Sequence, residues 1–362
     1  MKKAFHLLLA SVLILNVACK KDEEQDQPSQ PSETVHVYDE HLAEGIYQPT
    51  LHIASISEND AETATWTWNN NDLTSILDKN TGISKTFTYS NSRLESIKES
   101  FYTTYFLYSG DQLTATRKTG IGGSLMVRQN IFHEGNKISE IKYDSISQTY
   151  LLMLVQEWAS VLGLKSDAKL GFGDVTLNQQ FNWNGENVAD DITTIGITLN
   201  TSMQEISSFV DLGSIIRAYV EQAYPAFSSM LSDAILDQIV SYLQAQTDPL
   251  PVEVTLSVSG DYTYDNNRNP MQCFYGDDFS AMMLSANNIL SATTTTQVGA
   301  TCHLTIPSDL PLLGMFLGGT TIDLPYNMEP QTTTTDYSYN YNSHNFPSSM
   351  TCNGNTTTFK YN

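Results

Sequence analysis

From Trp66 to Phe346 one short pattern keeps returning along the chain. Two apolar residues, mostly aromatic, flank a polar one; a turn of Asn, Gly, Ser or Asp follows, and a branched apolar residue opens the next segment. Phe87, Tyr89, Leu94 and Ile97 around Ser90 to Arg93 make one copy, and Trp66, Trp68, Leu73 and Ile76 around Asn69 to Asp72 make another. Phe106 and Tyr108 lead through Ser109 to Asp111 to Leu113, Ile131 through Gly135 to Ile138, and Phe181 and Trp183 through Asn184 to Asn187 to Val188. Tyr262 and Tyr264 lead into Asp265-Asn266-Asn267, and Tyr339 and Tyr341 lead to Phe346. Alternation puts each aromatic pair on one face of a strand, and the turn chemistry returns the chain as a hairpin. Copies about 20 residues apart predict an antiparallel meander of neighbouring strands.

An early strand is predicted at Leu51 to Ile56 and a closing one at Phe359 to Tyr361. The longest period-2 run is Val252 to Tyr264, with further strands around Thr293 to Thr296 and Ala300 to Ile306. Three stretches break the rhythm. Tyr150 to Leu164 is apolar almost throughout, too short to span a bilayer, and reads as a buried helix or strand pair. Residues 202 to 246 read as two helices, opened by a Ser202/Glu205 capping box and broken at Pro225. A short helix is expected at Phe279 to Ile289. The fold class is therefore mainly β: a meander forming a curved sheet or incomplete barrel, with the helical insertion of 202–246 packed on its aromatic inner face.

Composition sharpens this only in part. Charged residues are 16% of the chain, so its polarity comes from Thr, Ser and Asn, which suit strands and turns. The net charge is −22, and becomes −24 once Lys2 and Lys3 leave with the leader described next. Such a chain repels nucleic acid and, as a whole, anionic lipid headgroups, so no nucleic-acid partner is expected.

Lys2 and Lys3 precede an apolar run from Ala4 to Val17, and Val17-Ala18 stands directly before Cys19. This resembles a bacterial lipoprotein signal, with Asn16 a less usual residue in its lipobox. The resemblance implies cleavage after residue 18, acylation of Cys19 and anchoring in the outer membrane by the acyl chains. Lys20-Lys21-Asp22-Glu23-Glu24 is similar to the export signal of Bacteroidota surface lipoproteins, which implies the cell surface. Residues 19 to 45 then form a polar tether, and 46 to 362 a single domain. The Tyr262 to Asn266 core resembles tyrosine-aspartate repeats. The whole layout resembles Bacteroidota lipoproteins of unknown function with a porin-like, barrel-shaped fold, a likeness that brings no catalytic residues. It does not imply a pore, because the strand faces opposite the aromatics carry Thr, Ser and Asn, whereas membrane strands face lipid with apolar residues.

Chemistry is sparse. The histidines are scattered, with no zinc spacing, nucleophile elbow or phosphate loop, so neither a cofactor nor an enzymatic activity is expected. Asp265-Asn266-Asn267, Asp277-Asp278 and Asp190-Asp191 offer oxygens, but turn chemistry accounts for the first. Of Cys273, Cys302 and Cys352, the pair Cys302 and Cys352 is the disulfide to test first. Asp144-Ser145-Ile146 resembles a Bacteroidota O-glycosylation sequon, which marks Ser145 for modification. The functional expectation is a surface binding or structural protein, with Tyr and Trp in the hairpin turns stacking on a polysaccharide. The alternative is a carrier that holds a lipid or other hydrophobic ligand in a barrel cavity.

Overall fold

The structure is a computed structural model describing residues 51–70, 72–91, 93–151, 171–202, 204, 211–228, 231–245, 250–272, 279–305, 308, 318, 319, 321–327 and 329–362. The leader, Cys19, the tether, most of the apolar run after Tyr150 and the Ser202/Glu205 box lie outside these residues or are only partly among them.

The strands are β1 Ile53–Glu58, β2 Ala61–Asn69, β3 Asp72–Asp78, β4 Ser84–Ser90, β5 Arg93–Lys98 and β6 Tyr102–Ser109. They continue as β7 Gln112–Gly120, β8 Leu125–Glu134, β9 Lys137–Asp144, β10 Gly171–Asn184, β11 Asn187–Thr201 and β12 Leu250–Arg268. The last are β13 Asn287–Thr305, β14 Thr321–Asn327, β15 Gln331–Tyr341, β16 Pro347–Cys352 and β17 Asn355–Tyr361. The helices are α1 Leu212–Ala223, α2 Pro225–Ser228, α3 Asp233–Gln244 and α4 Ala281–Leu284.

Neighbours in sequence pair antiparallel, and β17 pairs back onto β1 from Ile53↔Tyr361 to Glu58↔Thr357. The meander is therefore a closed barrel of 16 strands, which corrects the expectation of an open or incomplete one. Closure leaves no unpaired edge in the ring, the costliest feature of an open sheet. The remaining strand, β14, sits outside the ring and extends the wall along the end of β13, from Gly299↔Asn327 to Thr305↔Thr321.

Each hairpin copy is built alike. The residue with left-handed backbone in the turn is Asn70, Asn91, Gly110, Gly135 or Gly185, residue types that accept φ between 51° and 64°. Just after the turn the returning strand carries one extra residue: Thr67 faces Ser75 but Trp68 faces Leu73, and the same slip follows Thr88, Leu107, Phe132 and Asn182. At several of these bulges the extra residue is Thr or Ser, and its hydroxyl donates back across the hairpin, Thr74 to the Thr67 carbonyl and Thr114 to the Leu107 carbonyl. Repeated bulges add the twist and curvature that closing a barrel demands.

In several pairs the second aromatic latches one hairpin to the one before. Trp68 Nε1 donates to the Ile53 carbonyl at 2.7 Å, Tyr108 to Leu94 at 3.1 Å and Trp183 to Ile138 at 2.8 Å. Tyr264 does so to Val188 at 2.6 Å and Tyr361 to Pro347 at 2.7 Å. These rings lie on the inner face, as the alternation predicts, packed with Trp66, Phe87, Phe106, Leu113, Ile141 and Phe181, and so are not the solvent-facing rings that sugar stacking would need. Their polar tips stay satisfied without facing water.

The β12–β13 connection turns inward and closes this end. Phe279, Ala281 and Leu284 join the aromatic cluster, and Asn269 donates to the carbonyls of Met282 and Ser285. The helix expected over Phe279 to Ile289 is only the short α4; from Asn287 the chain is already strand β13.

One face of β12 then runs the height of the wall. Tyr264 and Tyr262 lie in the aromatic tier, Val258 and Leu256 in a tier with Leu177, Ile195 and Val127, and Val254 and Val252 beneath the helices. There Leu212, Ile216 and Val220 of α1 and Leu236, Ile239 and Leu243 of α3 bury their apolar stripes with Leu304. Asp211 caps α1 by accepting from the Ser214 backbone N–H at 3.2 Å, and α1 ends before Pro225 as the sequence predicts.

Candidate functional site

The opposite strand face is wet. In β4 the side chains of Ser84, Thr86, Thr88 and Ser90 are exposed while Phe87 is buried. Across β13 and β15, Thr293 pairs hydroxyls with Thr334 and Thr295 with Thr332, each at 3.0 Å. A membrane barrel is the reverse, apolar outside and polar within.

The most perturbed acid in the interior is Asp191. Register sets Phe181, Asp191, Gly260 and Thr294 in one row across β10 to β13. Gly260 leaves the space that the Tyr262 ring folds into, so that the Tyr262 hydroxyl donates to Asp191 Oδ1 at 2.9 Å. Burial pushes the Asp191 carboxyl up to about 6 and neighbouring Asp190 adds to this, against the hydrogen bonds from Tyr262 and Gln179. Desolvation likewise raises the Tyr262 hydroxyl above its ordinary range. Asp191 and Tyr262 form a hydrogen-bonded couple in the inner wall. Sequence reading gave Asp190-Asp191 no distinct role; the signal available was the Gly260 gap in an otherwise strict alternation.

Asp265 is not a metal ligand in waiting. Its oxygens accept from the backbone N–H groups of Asn267 and Asn288, from the Asn288 amide and from the Tyr341 hydroxyl. It organises the turn, as its chemistry predicts. Among the described residues no group of His, Cys, Asp and Glu is arranged to hold a metal ion. His303 stands between Asp323, 2.7 Å from Nδ1, and Glu253, 3.6 Å from Nε2, and the Asp323 bond foremost raises its pKa. Both ring nitrogens face carboxylates, which makes this an ion cluster on the outer wall. It joins β12, β13 and β14 and is invisible in sequence because 20 residues separate His303 from Asp323.

Cys302 and Cys352 are both buried and both free thiols. The pair singled out for test is not bonded here, and strand register explains why. Cys352 lies opposite Tyr337, level with the Leu290 end of β13, whereas Cys302 lies 12 residues along that strand. At about 3.4 Å per residue they are roughly 40 Å apart, far beyond disulfide reach. Burial pushes the Cys302 thiol up to about 11. Ser145 is exposed, in a turn with φ 53°, just after β9. Asp277, Asp278 and Cys273 lie outside the described residues.

The outer wall carries its own apolar positions. Tyr105 is exposed beside the Arg117 guanidinium, 5.3 Å from its ring, and Phe132 is exposed with Lys142 at 5.2 Å. Phe101 and Ile121, in the β5–β6 and β7–β8 turns, are 59% and 76% exposed.

No protein-family model matches the chain, and no curated protein matches it. Among solved structures it is similar to a porin-like protein from Bacteroides vulgatus ATCC 8482, at 8% identity over 86% of this chain and 99% of that one, with a TM-score of 0.41. A porin-like protein from Bacteroides uniformis ATCC 8492 aligns at 11% identity over 87% and 100% of the two chains, with a TM-score of 0.28. Likenesses this distant carry no weight for function, and the barrel stands on its own strand pairing.

Proposed function

We propose that this chain is a lipoprotein of the cell envelope, anchored through Cys19, whose barrel faces water and works by binding at its outer surface. One observation carries the reading: the polarity of the wall. Trp66, Phe87, Phe106 and Phe181 are turned inward and the end of the bore is filled by Phe279 and Leu284. Hydroxyls cover the outside of β4 and the β13–β15 seam. Such a wall is poorly suited to lipid, and such a bore to solute flow.

The binding role changes place from the turns to the wall. Trp68, Tyr108 and Trp183 are committed to the latches, so a polysaccharide would stack on exposed rings such as Tyr105 and Phe132. The chain from Lys20 onward, exported behind a cleavable leader so that it carries neither the apolar run nor an acyl chain, should be released from membranes by alkaline carbonate. Retention in the pellet, or single-channel conductance in planar bilayers, overturns the reading. For glycan capture, a polysaccharide panel should yield a ligand whose affinity drops on Tyr105→Ala or Phe132→Ala.

Carriage of a hydrophobic ligand is a second reading, favoured by the aliphatic tier of Leu177, Ile195, Leu256 and Val127 that lies between the aromatic end and the helices. Native mass spectrometry of purified protein free of co-purifying lipid would remove it.

A further inference from the structure

We infer that the rim formed by the β5–β6 and β7–β8 turns is a second membrane contact, docking onto an anionic lipid surface. The inference rests on the water-facing reading of the barrel.

Pairing of Tyr102 with Gly120 brings the two turns side by side, so Phe101 and Ile121 are neighbours at the tip. They are 59% and 76% exposed, and Leu125, at the start of the next strand, is 40% exposed. Ile121 leads into Gly122 and Gly123, both with left-handed backbone, at φ 85° and 82°. The turn is closed by hydrogen bonds from Gly120 N–H to the Ser124 carbonyl and from Gly123 N–H to the Gly120 carbonyl. A folded hairpin turn thus holds a bulky aliphatic side chain out in water, a cost that burial in an acyl layer would reverse.

Behind the apolar tip comes positive charge. Lys98, Thr103, Thr119 and Leu125 form one cross-strand row, and Tyr105, Arg117, Arg128 and Asp144 form another on the same outer face. Lys98, Arg117 and Arg128 are exposed. Arg117 lies directly opposite Arg128, an arrangement that is repulsive in water. Arg128 Nε donates to Asn130 Oδ1, and neither guanidinium makes an ion pair within 4.0 Å among the described residues. Asp144 stands beyond Arg128 at the end of the row, and Glu99 in the β5–β6 turn is taken by Lys85 at 3.1 Å. The patch is locally cationic in a chain of net charge −22. Because screening at physiological salt confines each charge to about 8 Å, the local sign governs docking while the distant acids do not.

An apolar tip backed by cations is the chemistry of interfacial insertion into anionic lipid, and aliphatic Ile121 and Leu125 suit acyl chains better than sugar rings. One acyl-type anchor binds marginally on its own and becomes stable with a cationic patch beside it. The tether permits this. β1 begins at the opposite end of the barrel, one strand length away, and residues 19 to 50 as a coil span roughly 30 Å, about the length of β2.

The test floats the chain from Lys20 onward, free of leader and acyl anchor, with vesicles of phosphatidylcholine alone or with about three parts in ten phosphatidylglycerol, a mixture whose charge reaches each cation. The parent should favour the anionic vesicles. Phe101→Ser with Ile121→Ser should weaken its binding about tenfold, as should Arg117→Glu with Arg128→Glu, while Leu290→Ser on β13, an exposed position away from β5 to β8, changes nothing. These positions are exposed, and unchanged tryptophan fluorescence verifies that the variants fold. Equal binding by all variants overturns the inference. So does binding that needs the arginines but not Phe101 and Ile121 and is competed by soluble dextran sulfate, which would mark a polyanion site. So does a change in sedimentation coefficient in the apolar variant without a change in vesicle binding, which would mark a contact between copies. Resistance of parent and variants alike to alkaline carbonate would overturn the water-facing barrel itself.

Discussion

Replacing Asp191 with Asn isolates an interior carboxyl whose ionisation the fold opposes, the one raised acid among the described residues. Asn keeps the shape and an oxygen to accept from Tyr262; it removes the titration and turns the other acceptor oxygen into an N–H donor, an offset that is the same at every pH. In the unfolded chain the Asp191 carboxyl titrates near 3.8; in the folded barrel it is pushed up to about 6, by burial foremost. Between those values the folded state holds a proton that the unfolded state has released. The contribution of Asp191 to stability therefore falls as pH rises from about 4 to about 6 and is level above that. At 1.36 kcal/mol per unit the fall is at most about 3 kcal/mol, and the partial exposure of the side chain trims it. The readout is urea unfolding of parent and Asp191→Asn, followed through the interior tryptophans at about pH 4, 5, 6 and 7. Carboxyls held low in the fold, such as Glu62 and Asp211, act in the opposite sense but are common to both proteins. The difference in stability should swing towards the Asn protein by about 2 kcal/mol across that window and then level off. A difference that is flat with pH, or that swings towards Asp, refutes the assignment.

Gly260→Ala should destabilise the same row, because a Cβ there would lie 2.7 Å from Asp191 Oδ1 and closer still to the Tyr262 hydroxyl. A loss of about 1–3 kcal/mol in urea is expected, smaller when Tyr262→Phe is also present to remove the clashing hydroxyl. Tyr264→Phe should cost about 1–3 kcal/mol, since it strips a partner from both the buried Val188 carbonyl and the Ser285 hydroxyl. Cys302 and Cys352 should resist thiol reagents in the folded protein and react on unfolding, and a reductant should leave the midpoint unchanged; a shift would reveal a disulfide.

The architecture was legible in the sequence where it depended on local chemistry. Alternation around Phe87 and Tyr89 with left-handed Asn91 in the turn describes a hairpin whatever surrounds it. So do the break at Pro225 and the apolar stripes of α1 and α3. Closure was not legible, because it is a pairing of Ile53 with Tyr361 across the whole chain, and either strand alone reads only as a terminal strand. The inward direction of Trp68 and Tyr108 was legible in the alternation, but their bonds were not, because the accepting carbonyls of Ile53 and Leu94 sit on other strands whose height only the register sets. Charge clusters were beyond reach as well: Arg117 and Arg128, or His303 and Asp323, meet only once register is known.

The latches bear on why an inside-out polarity is stable at this barrel size. In a barrel of 16 strands the bore is too wide for one layer of side chains to fill. Large rings solve part of this, since each reaches far inward, but a Tyr or Trp needs a partner for its polar tip. Here the tip returns to the wall, as when Trp183 bonds the Ile138 carbonyl, so the ring bodies point into the bore while the polar tip of each latch ring stays paired. The remainder is supplied by the chain itself, through Phe279 and Leu284 at one end and the helices at the other. On the proposed reading, binding falls to the outside, where hydroxyl ladders give way on β6 to β8 to Tyr105, Phe132, Arg117 and Arg128.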